Sequence, residues 1–435
     1  MKNLKGLEQL KKEMEIPPFA LRAVAGDFKA EMEAGLAGKP GSLKMLPSYL
    51  GIPTGEEKGT FLALDFGGTN VRLMTVSLLG GGIYEIERRV SFSLKDEKRG
   101  IDFTSSCASG ECLFDHIAAG IKAFAGDGRD YRLGHTFSFP FHSGGINHAE
   151  LIKWTKEFET RETAGKDVQL LLKDALKRQG VNNVKPVAVI NDTVGTLLAA
   201  AYRNKRCDLG SILGTGHNTC YLESNTTRFG RPVIINIEAG NFGRVPLAPA
   251  DRVLDAASEI PGEQILEKMV AGKYLGRLMW ILILDLNEKG IVFPGHDLKK
   301  CRNEAPFSTE DVSKILGDET DGLVLTGELL ESRLAPATSV PADRQVVRET
   351  ARLLRNRSAR LAAATYLAVL EHMDPILSGS HVIAVDGTLY EKMPGYASTL
   401  GETLKDLLGD KHEKVELRLV KDASGAGAAV AAAMA

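Results

Sequence analysis

The chain has 435 residues, 43% hydrophobic and 25% charged, with a formal net charge of −2. That length points to two large domains or lobes, and the near-neutral charge leaves no footprint for nucleic acid or an anionic membrane. Five scattered cysteines (Cys107, Cys112, Cys207, Cys220, Cys301) form neither an even disulfide set nor a metal-ligand spacing, which fits a reducing, cytoplasmic setting.

The opening stretch MKNLKGLEQLKKEMEIPP places Leu at helical spacing among Lys and Glu. It reads as an amphipathic helix and not as a signal peptide. Residues 4–35 form two helices broken at Ile16-Pro17-Pro18, and the Gly- and Pro-rich stretch 36–59 is a connection. FLALDF (61–66) is a buried strand by its unbroken apolar run. GGTN turns the chain into VRLMTVSL (71–78), and GGG at 80–82 turns it again into IYEIERRVSFSL (83–94), a β-meander. A helix is expected around 111–125, a strand over 133–140, and a Leu-faced helix over 167–180.

The pattern then recurs. SILGTGHNTCYLE matches LALDFGGTNVRLMTV as strand, Gly/Thr turn and strand, a weak internal repeat. Helices dominate 250–290 and 343–373, a strand is expected over 381–389, and KDASGAGAAVAAAMA closes the chain as a Gly-containing loop entering an Ala-rich helix. The longest apolar run, LMWILIL at 278–284, is too short to cross a bilayer. Strands alternating with helices define an α/β fold.

Three features carry chemistry. The turns Asp65-Phe66-Gly67-Gly68-Thr69-Asn70 and Gly214-Thr215-Gly216 let backbone N–H groups approach an anion. Two such turns in a repeat would clamp a phosphate chain from both sides, and neither is a Walker A loop. Asp65, ending an apolar strand, can cap its turn or orient a metal-bound water. VAVINDTVGT (187–196) runs a buried strand into Asn191 and Asp192, which leaves a helix cap and a catalytic acid equally open. Ser138, Thr155, Lys156, Glu238 and Glu267 add hydroxyl, cation and carboxylate groups in apolar or tight settings. Each can be a satisfied structural group, and together they are the set that a sugar needs.

Taken in order, LDFGGTNVR, TFSFP, WTKEF, VINDTVGT, GTGHNTCYLE, INIEAGNFG, PGEQILEKMVAGKYLG, IAVDGTLY and DASGAGAAVAAA resemble the motifs of the eukaryotic-type hexokinase and glucokinase family over nearly the whole chain. The resemblance implies an actin-like fold, two lobes of ribonuclease-H type around a cleft. The small lobe would hold 58–192 with the C-terminal helix 420–435, and the large lobe 1–57 and 193–419. It implies transfer of the ATP γ-phosphoryl group, with Mg²⁺, to the 6-hydroxyl of glucose or a related hexose. Asp192 would be the base and Lys156 a second catalytic group. Ser138, Thr155, Lys156, Asn191, Asp192, Asn218, Glu238 and Glu267 would bind the sugar. Asp65, Gly67, Gly68, Thr69, Asn70, Arg72, Gly214, Thr215 and Gly216 would serve the ATP phosphates, with Asp65 reaching the metal through water, and Gly387, Ser424 and Gly425 would lie near the adenosine end. A carboxylate at a helix start also sits at the positive end of the helix dipole.

The chain departs from the family pattern at Glu238-Ala239-Gly240-Asn241-Phe242-Gly243, where the family has Glu-Trp-Gly-Ala-Phe-Gly. The loss of the Trp predicts a roomier pocket beside Glu238. Ala423 replaces a usual Gly, and Arg277 a usual Glu. A kinase of another sugar (fructose, mannose or an amino sugar), a non-catalytic sugar sensor and an actin-like assembly protein are the competing assignments. No motif bears on oligomeric state.

Overall fold

The computed structural model describes residues 2–96, 100–155, 158–300, 305–335 and 338–435, with side chains from residue 6 onward. Lys156 and Cys301 therefore lie outside the described residues.

Two sheets share one topology. The first contains β1 (Lys58–Phe66), β2 (Asn70–Gly80), β3 (Ile83–Ser93), β4 (Tyr131–Phe137) and β5 (Val184–Ile190), in the order β3-β2-β1-β4-β5. The second contains β6 (Cys207–Leu213), β7 (His217–Glu223), β8 (Val233–Asn236), β9 (His381–Asp386) and β10 (Val415–Leu419), in the order β8-β7-β6-β9-β10. In each, the first three strands form an antiparallel meander and the last two add in parallel. The expected repeat is thus a repeat of connectivity. Leu46–Pro47 extends the second sheet by pairing with β8, so part of the expected connection is ordered sheet edge.

Strand periodicity explains the layering. Leu62, Leu64 and Phe66 of β1 face a core beneath the first sheet, whereas Phe61 and Ala63 face the opposite side. Ile383 and Val385 of β9 face the large core of the second sheet, and Val382 and Ala384 face that same opposite side. One apolar layer therefore lies between the sheets. It contains the helices Asp192–Arg203 and Ala423–Met434, which pack on each other. The C-terminal helix lies on the first sheet, against β1, β4 and β5. Gly134 of β4 permits this, since a Cβ there would come 1.8 Å from the Ala428 carbonyl oxygen. The large core is threaded by the helix Pro341–Met373, whose Arg357 is buried and holds Asp251 with two bonds of 2.7 and 2.8 Å.

Several boundaries move. The strand expected over 133–140 ends at Phe137, before Pro140. The strand expected over 381–389 ends at Asp386, because Gly387 takes φ +125° and Thr388–Lys392 turns helical. The edge strand Val415–Leu419 escaped the sequence reading because charged Glu416 and Arg418 alternate along it with no long apolar run.

Candidate active site

The first wall of the site follows from how β5 ends. Asn191 takes an extended backbone (φ −77°, ψ 160°) and its side chain accepts from Thr193 N at 3.2 Å, so Asn191 is the helix cap. Asp192 is the first helical residue, and its Oδ1 accepts from the same N–H at 2.8 Å. The capping duty expected of Asp192 thus falls mainly to its neighbour.

A relay of amides leads away from that cap. Asn218 Nδ2 donates to Asn191 Oδ1 at 3.3 Å and to Asn236 Oδ1 at 2.8 Å. Asn236 Nδ2 in turn donates to Glu238 Oε1 at 2.8 Å. Asn218 Oδ1 accepts from the N–H of Thr219 at 2.7 Å and of Ala239 at 3.1 Å, which fixes its orientation. Glu238 itself is left-handed (φ 59°, ψ 52°), a strained state for a non-glycine residue. Asn241 Nδ2 donates to its carbonyl at 3.3 Å and braces that turn. Glu267, on the short helix Ile265–Val270, accepts from His217 N at 3.3 Å, and bare Gly240 gives it room. Burial pushes the His217 imidazole down to about 4, so it is neutral at pH 7.

These groups meet in one cleft of about 410 Å³, lined by Ser138, Thr155, Asn191, Asp192, Asn218, Glu238 and Glu267 together with Gly216, Trp154 and Gln264. Every described residue expected to bind sugar is therefore in it. Ala239 is not. It is fully buried in the core, next in sequence to Glu238, where the sequence expected this position to bear on the pocket. Trp154 is held by its indole N–H, which donates to Thr160 O at 2.9 Å and Thr163 Oγ1 at 2.6 Å.

The two Gly/Thr turns occupy different surroundings. Asp65 pairs with Arg72 at 3.2 Å and accepts from Ser424 Oγ at 3.1 Å. Arg72 also reaches Asp422 at 3.3 Å. Gly67 abuts Ser138, where a Cβ would stand 2.6 Å from Oγ. Gly68 has open space around it, and Thr69 and Asn70 are exposed at the turn. In the second turn, Gly214 O and Thr215 O accept from Gly272 N at 2.8 Å and Lys273 N at 3.0 Å. A Cβ on Gly387 would lie 2.3 Å from Leu213 O, so only glycine brings that strand end so near. Beside the turn is a second cavity of about 690 Å³, whose lining includes Gly214, Thr215, Gly272, Lys273, Thr309 and Thr388. Gly425 lines neither cavity and packs on Met74.

Asn236, Gln264, Gly272, Lys273, Thr309 and Thr388 were missed from sequence. None breaks an apolar run conspicuously, and their neighbours come from distant segments. The donors suit a hard cation that keeps most of its shell as phosphate oxygens and water, for which one carboxylate (Asp65) and one hydroxyl (Ser424) suffice. Among the described residues no cluster of three or more His, Cys, Asp or Glu forms a dedicated metal cage.

Two sheets of matching ribonuclease-H-type topology, flanking a cleft of carboxylates, amides and hydroxyls beside two glycine turns, define a phosphotransferase of the actin-like fold. Family models described as hexokinase match residues 6–202 and 208–434. Hexokinase-1 of Schizosaccharomyces pombe is 35% identical over 98% of this chain and 90% of its own length. Hexokinase-7 of Oryza sativa subsp. japonica is 37% identical over 98% and 95%. A solved hexokinase from Schistosoma mansoni complexed with glucose superposes with a TM-score of 0.88 at 33% identity, covering 100% of both chains. The chain belongs to the hexokinase family.

Proposed function

We propose that this protein is an ATP-dependent hexose 6-kinase in which Asp192 is the general base. The observation that carries the assignment is the convergence of Asp192, Asn191, Asn218, Glu238, Glu267, Ser138 and Thr155 on one cleft, beside the turn at Gly214–Gly216.

Phosphoryl transfer needs positioning, charge neutralisation and a base, and little covalent help. In this reading the sugar is held by Glu238 and Glu267 as acceptors and by Asn218 and Asn191 as amide partners. The Asn218–Asn236–Glu238 relay keeps these groups aimed before substrate arrives. Asp192 takes the 6-hydroxyl proton as O6 attacks the γ-phosphorus. The bond from phosphorus to the bridging oxygen breaks, and its electron pair leaves with ADP. Asp65 and Ser424 would hold the Mg²⁺ that accompanies ATP, through water in the case of Asp65, and the metal would neutralise phosphate charge. Lys156 is assigned its role by the family motif.

We take 58–192 with 420–435 as the small lobe and 1–57 with 193–419 as the large one. In support, the first sheet falls within 58–192 and the C-terminal helix packs on it. The cytoplasmic setting belongs to the same proposal, in keeping with free thiols at Cys107, Cys112, Cys207 and Cys220. No described helix is long and apolar enough to cross a membrane.

The test is ADP release from Mg-ATP with glucose, fructose, mannose, glucosamine or no sugar. Saturable, sugar-dependent turnover with glucose is expected. A folded, ATP-binding protein that turns over none of the sugars would overturn the assignment.

A further inference from the structure

The long helix Pro341–Met373 carries a second chemical feature, apart from the cleft. Arg348, Arg352 and Arg355 follow one another at spacings of four and three residues, so they share one helix face. With Glu349 they line a cavity of about 510 Å³, whose apolar walls include Leu7 of the helix Lys2–Met14 and Leu316 of the helix Thr309–Leu316. None of these residues lines the sugar cleft or the cavity beside the second Gly/Thr turn.

Three cations meet one carboxylate there, and that carboxylate is already committed. Arg352 holds Glu349 with two bonds, one of them 2.8 Å long. Arg348 is half-buried and acts on Glu349 only at longer range, and among the described residues it makes no ion pair. Arg355 is half-buried as well. Its guanidinium donates to neutral oxygens alone, Asn356 Oδ1 at 2.7 and 3.0 Å and Pro394 O at 2.8 Å. Space for it is built into the backbone, since Gly395 takes φ +75° and a Cβ there would stand 2.0 Å from Arg355 Nη1. Burial, with Arg352 alongside, pulls the Arg355 guanidinium below its ordinary pKa, although it stays charged. Lys11 and Glu15 act on the Glu349–Arg352 pair, and Glu402 acts on Arg355, all at longer range.

A guanidinium drawn partly out of water without a counter-ion is costly, and like charges on one helix face add to the cost. An anion in the cavity relieves both. We infer that this cavity binds a small organic polyanion with an anionic group at each end of a short carbon skeleton. The two arginines that lack a carboxylate, Arg348 and Arg355, are seven residues apart, about 10 Å along the helix axis. Two separated anionic groups match that span better than one. The planar guanidinium fork accepts carboxylate and phosphate alike through paired bonds, and Leu7 and Leu316 face the skeleton. The inference stands independently of the kinase assignment.

The experiment is titration calorimetry on the full chain, without Mg²⁺ and at matched ionic strength, with citrate, fructose 1,6-bisphosphate or inorganic phosphate as the probe. Citrate and the bisphosphate distinguish a carboxylate ligand from a phosphate one, and saturable binding of either supports the site. Arg348→Gln removes a charge that no internal bond uses, so the fold should hold; Arg355→Gln is its companion. The expected result is a rise of about tenfold or more in Kd for the bound probe in each variant, with sugar-dependent ADP release unchanged when no polyanion is present. Inorganic phosphate should bind at least about tenfold more weakly than the bound probe. Absence of binding by both polyanions would overturn the inference. So would an unchanged Kd in Arg348→Gln, which places the probe elsewhere on the protein, or inorganic phosphate binding as tightly as either polyanion.

Discussion

Gly427 lies so close to Gly195 that a Cβ on it would come 1.9 Å from the Gly195 carbonyl oxygen. The two residues sit on the helices between the sheets, at the place where the first sheet and its C-terminal helix meet the helix that begins with Asp192. A methyl group here has backbone on its far side and nowhere to go. Gly427→Ala should therefore destabilise the protein by about 1–3 kcal/mol. Urea unfolding checks this, and an unchanged midpoint would show that the helices separate without cost.

Asp192→Asn retains a side chain of the same shape and loses the base. Turnover should fall by about a hundredfold or more, while the fold and sugar binding persist. Trp154 lines the cleft, so its sugar-dependent fluorescence reports binding in the dead variant. Wild-type turnover in Asp192→Asn would remove Asp192 from the chemistry.

Asn236 is a silent partner of the site. It is buried, and it joins Asn218 to Glu238 through bonds of 2.8 Å on either side. Asn236→Leu leaves both neighbours short of a partner, at a cost of about 1–3 kcal/mol. Because one of them is the Glu238 carboxylate, the predicted signature is weaker sugar binding with little change in KM for ATP. Titration calorimetry with glucose decides it.

The far end of the second sheet carries a pH-dependent element. His381 Nδ1 lies 2.6 Å from Asp208 and Nε2 3.4 Å from Asp374. Its bonded Asp208 neighbour, with Asp374 adding to it, raises the imidazole above its usual 6.5. A raised folded-state value means that the cluster stabilises fully below about 6.5 and that this contribution is lost as pH rises through the folded value. His381→Asn should flatten stability across that window, as followed by thermal unfolding at a series of pH values. A wild-type slope in the variant would disprove the coupling.

The meander at 58–93, the Ala-rich C-terminal helix and both Gly/Thr turns were legible in the chain because they are local. Apolar runs, period-two alternation and glycine dipeptides act over a few residues. The family motifs then named Asp192, Asn218, Glu238 and Glu267, of which all but Asn218 were already conspicuous as polar residues in apolar or tight settings. What the sequence could not supply is distance between remote segments. Ser424 meets Asp65 across 359 residues, Asn236 mediates between two residues already singled out, and Lys273 lines two separate cavities. Ala239 makes the same point in reverse, since its substitution looked like a change in the pocket until the turn at Ala239–Asn241 placed it in the core. Local propensity writes the elements. Only the packing of two like sheets around a shared helical layer decides which side chains face one another, because that contact is made by residues hundreds of positions apart.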